Sequence, residues 1–168
     1  MSVLSWGKPT IVILSDESGA KHRKLNTPVD DSTNLETTEG DKTEAKIEGG
    51  EVEDVRYDKS TYKLTMQIRL KKGDNFPFAN KDGIINGSYA VWVQPEDVNA
   101  YGIQIQKAHA SIKTSYTAND GILCDIAFDA LTPNATDSQC EFGVVEFVES
   151  GGVISAVNFT AATAEAEV

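Results

Sequence analysis

The chain has 168 residues, of which 40% are hydrophobic and 24% are charged, and its formal net charge is −11. This length is enough for one domain with its own core, and the composition excludes wholesale disorder. The acidic balance argues against wrapping duplex nucleic acid, because phosphate contacts need clustered cations. It suits a channel that passes DNA without holding it, since like charges repel.

The first 14 residues predict an extended arm that ends in a short apolar strand at residues 10–14. Their apolar runs are too short for a signal-peptide core or a membrane span, so we expect a cytosolic chain with no membrane contact. Cys124 and Cys140 stand alone, without a CxxC spacing. We expect them to be free, buried thiols in a reducing compartment.

Residues 15–44 are polar and predict a long loop outside the core. Its sizeable apolar residues are Leu25, Val29 and Leu35, and 12 of the 26 acidic residues of the chain lie between Asp16 and Asp54. Two interpretations are open for this loop. It is either a solvated acidic loop or a contact loop that a neighbouring subunit orders.

The clearest strand pattern lies at residues 61–71, where apolar and polar side chains alternate strictly. Eleven residues at about 3.3 Å each make a long strand of roughly 35 Å. We predict that it pairs with residues 45–57 through a turn at residues 58–60, and that Gly49-Gly50 forms a bulge in the partner strand. A long, curved hairpin of this kind is typical of a barrel wall.

The rest of the chain predicts more strands and little helix. Residues 72–88 read as a loop with one short helical turn at residues 78–81. Turn signals separate five further strands, at residues 89–93, 101–116, 122–128, 141–148 and 153–159. We therefore predict a single, mostly β domain over residues 1–168, a β-sandwich or partial barrel with its core in residues 45–160 and a flexible tail at residues 161–168.

No residue pattern indicates catalysis or metal binding. His22 and His109 are far apart in the sequence and no nucleophile motif accompanies them. The acidic runs lack the alternating ligand pattern of a calcium loop, and Gly49-Gly50 lacks the Lys-Ser/Thr of a phosphate loop. We expect no catalytic residue, cofactor or metal. Trp92, on a strand, is interpreted as a core or interface anchor.

Two stretches carry a family resemblance. The first is Gly40-Asp41-Lys42-Thr43-Glu44 followed by Ile47-Glu48-Gly49-Gly50-Glu51 and the long hairpin. The second is the strand ending Phe128-Asp129-Ala130-Leu131-Thr132-Pro133. Over about residues 34–147, the chain resembles the tail tube (major tail) proteins of tailed bacteriophages.

The resemblance implies a structural protein of the virion tail, assembled in the cytoplasm of a bacterial host. Such subunits form rings, usually hexameric, that stack into a tube. DNA passes through its lumen without specific binding. The implied partners are further copies of the chain and other tail proteins, such as the tape measure, terminator and distal tail proteins. Within this frame Leu25, Val29 and Leu35 are expected to contact neighbouring subunits, and the acids expected to face the lumen are Glu48, Glu51, Glu53 and Asp54.

Two alternatives remain open at the level of the sequence. The same fold family builds the tubes of contractile injection and secretion systems, and analogy of fold does not separate these from phage tails. A different class is a monomeric β-sandwich that binds or decorates a virion or cell surface. That class predicts a stable monomer, whereas a tube subunit self-associates.

Overall fold

The computed structural model describes residues 7–166 and shows an all-strand fold, with no helix among those residues. The first strands are β1 (Thr10–Ser15), β2 (Arg23–Lys24), β3 (Asn34–Thr38), β4 (Lys42–Lys46), β5 (Val52–Tyr57) and β6 (Thr61–Leu70). The later strands are β7 (Tyr89–Gln94), β8 (Gly102–Thr117), β9 (Gly121–Ala130), β10 (Glu141–Ser150) and β11 (Val153–Ala161). The five strands predicted after residue 88 are confirmed, each end within two residues of its predicted position.

Nine of the strands form one antiparallel sheet, in which β2, β1, β7, β8, β9, β6 and β3 follow one another in space. The 16-residue strand β8 organises this sheet because it is long enough to take two partners along one edge. Its second half pairs with β9, and its first residues pair with β10, which continues into a hairpin with β11. Strands β4 and β5 form a separate two-stranded sheet.

The main core lies on one face of the large sheet, where every second side chain of the long strands is buried. In β6 these residues are Leu64, Met66 and Ile68, which confirms the predicted alternation. Residues of β1 belong to the same cluster although three strands separate β1 from β6, so the sheet curls around a shared interior. Loop residues fill the remaining space, and these are Leu25, Phe78, Ile85 and Cys140.

The segment between β2 and β3 bridges the two sides of the curled sheet. The Leu25 N–H donates to the Ile11 carbonyl at 2.9 Å, and the Val29 N–H donates to the Gln67 carbonyl at 2.7 Å. Leu25 is 7% exposed and lies in the core, while Leu35 packs against it from β3. The prediction that residues 15–44 lie outside the core was therefore wrong. The sequence of this segment is polar because its strands lie at the edges of the sheet and have one face in solvent. A few apolar side chains are enough to attach such strands to the core.

The predicted pairing of residues 45–57 with residues 61–71 was also wrong. Strand β5 pairs with β4, and β6 pairs with β3 and β9. The chain reverses at Gly49 and Gly50, whose φ angles of 94° and 85° are left-handed, so the glycines form a turn and not a bulge. A long hairpin is present, as expected, but its arms are β3–β4 and β5–β6 and its tip is at Gly49-Gly50.

A second layer gives the fold its sandwich-like character. Val12, Val145 and Ile154 are buried but lie outside the main core cluster, and β10 and β11 approach β7 and β2.

The predicted helical turn at residues 78–81 is absent, and Lys81 instead forms a β-bridge with Ile84. The first six residues of the predicted arm and the last two of the predicted tail lie outside the described residues. Within residues 7–166, no helix has the length and hydropathy required to cross a membrane.

Candidate assembly surfaces

The β4–β5 hairpin stands free of the body of the protein. Every residue from 41 to 59 is exposed, on both faces of the ribbon. Its base is held closely, because the Asp58 N–H donates to the Asp41 carbonyl at 2.9 Å. A Cβ added to Gly40 would lie 2.0 Å from the Asp58 carbonyl oxygen, so only glycine allows the two arms to approach here.

One face of this hairpin combines apolar and charged side chains. The register places Val52, Val55 and Tyr57 on the same face as Lys46, Glu44 and Lys42. Glu44 accepts from Lys42 at 2.6 Å and lies 3.9 Å from the Lys46 ammonium. Tyr57 is 67% exposed and Val52 is 47% exposed. These apolar side chains are therefore exposed to solvent, and no other part of the described chain covers them.

The tip of the hairpin, residues 47–54, concentrates negative charge. It holds the four acids predicted to face a lumen, namely Glu48, Glu51, Glu53 and Asp54, and no lysine or arginine. In the described part of the chain none of the four forms an ion pair. The structure thus brings these residues together at one exposed point, which we call the acidic tip. Their orientation toward a lumen stays a prediction.

The three residues predicted to contact other subunits lie in different environments. Leu25 is a core residue, so in this conformation its side chain is not available to a neighbour. Val29 and Leu35 are half-buried. Subunit contacts through these two remain a prediction. No pattern in the sequence distinguished Leu25 from them as a core residue.

A basic edge, which the sequence reasoning missed, lies at β2. Residues 21–24 read Lys-His-Arg-Lys, the longest basic run in an acidic chain, and that run was the available signal. Arg23 and Lys24 are exposed, and they line a pocket of about 210 Å³. The other lining residues are Leu25, Asn26, Ile68, Leu70, Asn75, Phe76 and Pro77.

The outward face of the central strands carries charges of both signs. Lys63, Arg69 and Lys113 share this face with Asp125 and Asp129. Asp125 accepts from the Gln67 side-chain amide at 2.8 Å, and Arg69 lies 3.3 Å from Asp120. This face of the central strands is therefore nearly neutral, in contrast to the hairpin tip, which carries four acids and no lysine or arginine.

The two histidines, the side chains most often used in acid–base catalysis, lie in different parts of the fold. The His22 ring lies 5.6 Å from the Trp92 ring, whose Nε1–H donates to Gln104 Oε1 at 2.7 Å, so Trp92 anchors a surface layer. His109 stands opposite Asp129 on the neighbouring strand. Among residues 7–166 no group of three or more His, Cys, Asp or Glu side chains is arranged to hold a metal ion.

Both cysteines are free and buried, as predicted. Burial, reinforced by the neighbouring Glu141 carboxylate, raises the pKa of the Cys140 thiol to about 11. Burial also raises the pKa of Cys124, with a smaller contribution from Asp125. The thiolate is the reactive form of cysteine, so these two side chains act as core residues near neutral pH.

A shallow cleft of about 650 Å³ opens beside the loop between β6 and β7. It is lined by aromatic and polar side chains, including Phe76, Asn80, Asp82 and Lys113. Phe76 is half-exposed there. The cleft therefore places an exposed aromatic ring beside polar side chains.

No family model matches the chain. No curated protein matches it at a significant level either.

Proposed function

We propose that this chain is a structural subunit that self-assembles into a tube, in the manner of a bacteriophage tail tube protein, and that it is not an enzyme. The observation that carries the proposal is the free-standing β4–β5 hairpin. A two-stranded ribbon is at best marginally stable in water, because neither face is packed. A partner that covers the ribbon buries its apolar side chains, and this burial offsets the entropy cost of keeping the backbone ordered.

The edges of the large sheet support the same proposal. Among the described strands, β3 pairs only with β6, and β11 pairs only with β10. Each therefore leaves a row of backbone donors and acceptors available for another strand. Pairing of β3 in one subunit with β11 in the next is a head-to-tail contact, and such contacts close into a ring when the rotation between neighbours divides a full turn.

The remaining parts of the proposal come from the resemblance. The rings are hexameric and stack into a tube that belongs to a virion tail, which is assembled in the host cytoplasm. The tape measure, terminator and distal tail proteins are the other partners, and DNA passes through without specific binding. A tube of a contractile injection system uses the same contacts, and the virion is our choice because the resemblance lies with phage subunits.

The test removes the hairpin and leaves the body intact. Replacing residues 42–57 by Gly-Gly joins two arms that already meet at the Asp41–Asp58 hydrogen bond. We expect the wild-type protein to form rings or tubes in negative-stain electron microscopy as its concentration rises. The deletion variant should stay monomeric. Its circular dichroism spectrum should show that the remaining strands are still folded.

A matched control keeps the hairpin and alters an equally exposed loop. Val98 is 67% exposed in the loop between β7 and β8, so Val98→Asp should leave assembly unchanged. Tubes formed by the deletion variant would rule out the hairpin as an assembly element. A wild-type chain that stays monomeric at every concentration would contradict the proposed function.

The second candidate function is a monomeric β-sandwich that binds or decorates a surface. The cleft beside Phe76 favours it, because an exposed aromatic ring with Asn80 and Asp82 suits a sugar. This candidate predicts a persistent monomer that binds carbohydrate. A glycan array with wild type and Phe76→Ala distinguishes it from the tube subunit.

A further inference from the structure

We infer that the acidic tip of one copy docks on the basic edge and the adjoining pocket of the next copy. The acidic tip is residues 47–54, and the basic edge is residues 21–24. The inference rests on the proposed function, since it names the two surfaces that join successive subunits along the tube.

The two surfaces lie at opposite ends of strand β6. The hairpin leaves the body beside Thr61, at the start of β6. The pocket is lined by Ile68 and Leu70, at its end. Nine residue steps of about 3.3 Å separate Thr61 from Leu70, or roughly 30 Å. A donor at one end and an acceptor at the other make a heterologous contact, which repeats into an open stack.

The hairpin does not reach its own basic edge. Its arm from Asp41 to Gly49 extends roughly 26 Å at about 3.3 Å per residue. All of these residues are exposed, so the arm does not lie against the body. The pocket lining contains no hairpin residue. The occupant is therefore the hairpin of a second copy.

The charges of the two surfaces are complementary. The acidic tip carries four carboxylates and no cation, and the basic edge carries Lys21, Arg23 and Lys24 and no acid. In the part of the chain that the structure describes, none of these seven groups forms an ion pair. Asp16 and Glu17 precede the basic edge, and they lower its net charge without pairing with it. Opposite charges of this density steer two copies into one orientation.

The pocket beside the basic edge provides an apolar contact. Its apolar walls include Leu70 and Phe76, and its volume of about 210 Å³ accommodates a branched aliphatic side chain. The acidic tip offers Ile47 and Val52, each 47% exposed. Insertion of one of them adds hydrophobic burial to the ion pairs, which by themselves contribute little at an exposed surface.

This contact gives the tip acids a role at the subunit junction in place of the lumen. The two roles are separable by experiment. Acids that only line a lumen tolerate charge reversal without loss of assembly, whereas acids that join subunits do not.

The test reverses each surface in turn. The tip variant carries Glu51→Lys, Glu53→Lys and Asp54→Lys, and the edge variant carries Lys21→Glu, Arg23→Glu and Lys24→Glu. Each variant alone has two surfaces of like charge, so we expect its association constant in sedimentation velocity to fall about 10-fold or more. An equimolar mixture of the two restores opposite charges at every junction and should form stacks again.

The control variant reverses three exposed cations away from both surfaces, Lys81→Glu, Lys107→Glu and Lys113→Glu, and should assemble as the wild type does. Circular dichroism checks that every variant is folded. Normal stacking of the edge variant, or no rescue in the mixture, overturns the inference while the hairpin deletion still tests the proposed function. A wild type that never associates overturns both.

Discussion

At the scale of single residues, Cys140 couples the core to pH. The thiol is 5% exposed, and burial beside Glu141 raises its pKa from an ordinary 9.0 to about 11. The Cys140 side chain therefore binds its proton more tightly in the folded state than in the unfolded chain. That contribution to stability is complete below pH 9 and is lost as the pH rises toward 11, and it amounts to roughly 3 kcal/mol at most.

We expect the free energy of unfolding to decline between pH 9 and about 11. A Cys140→Ala variant should show a shallower decline, because it lacks this titrating group. Urea denaturation at a series of pH values measures both slopes. Equal slopes would show that other groups, such as Tyr89, whose pKa burial also raises, account for the whole effect.

At the scale of elements, the short segment after β2 holds the curled sheet together. Its backbone bonds reach Ile11 on one side and Gln67 on the other, and Leu25 fills the core between them. We expect Leu25→Ala to cost about 2–4 kcal/mol of unfolding free energy, through lost burial and the cavity that remains. Thr27→Ala, two residues further at an exposed position, is the matched control and should change little.

Two deletions in this region should have opposite outcomes. Removing residues 15–44 takes away β2, β3 and Leu25, so it should unfold the domain. Removing residues 42–57 takes away only the exposed ribbon. A Leu25→Ala variant as stable as the wild type, in chemical denaturation, would contradict the bridging role of this segment.

At the scale of the whole molecule, the proposed assembly predicts a change in dynamics. An exposed ribbon opens readily, so amides of residues 41–58 should exchange with solvent quickly in the dilute monomer. Assembly should slow this exchange by covering the ribbon. Hydrogen exchange with mass spectrometry, at low and high protein concentration, measures the difference.

The paired strands β8 and β9 provide the internal reference for that measurement. Their central amides are bonded within the sheet, so they should be protected at both concentrations. Unchanged exchange of residues 41–58 in samples that contain tubes would mean that the ribbon takes no part in the contacts. Rapid exchange throughout the body would instead indicate a fold less stable than the sheet suggests.

The elements that have a strong local pattern were predictable from the sequence. The alternation in β6 and the five strands after residue 88 follow from the period of two between neighbouring side chains. The burial of the two cysteines was expected from their residue type and from the absence of a paired spacing. The sequence also determined the concentration of acids between residues 47 and 54. The tube interpretation came from resemblance and is a proposal.

Which strands pair and which surfaces are free depends on contacts between distant parts of the chain, which the local sequence pattern does not contain. Gly49-Gly50 suits a bulge and a turn equally in sequence, because both use left-handed glycine, and the choice depends on β3 and β9 as competing partners of β6. Leu25 looked like a surface residue because its neighbours are polar, and it is buried because distant strands curl over it. The separation of acidic tip and basic edge likewise exists only after folding, since strand pairing sets the distance between residues far apart in the chain.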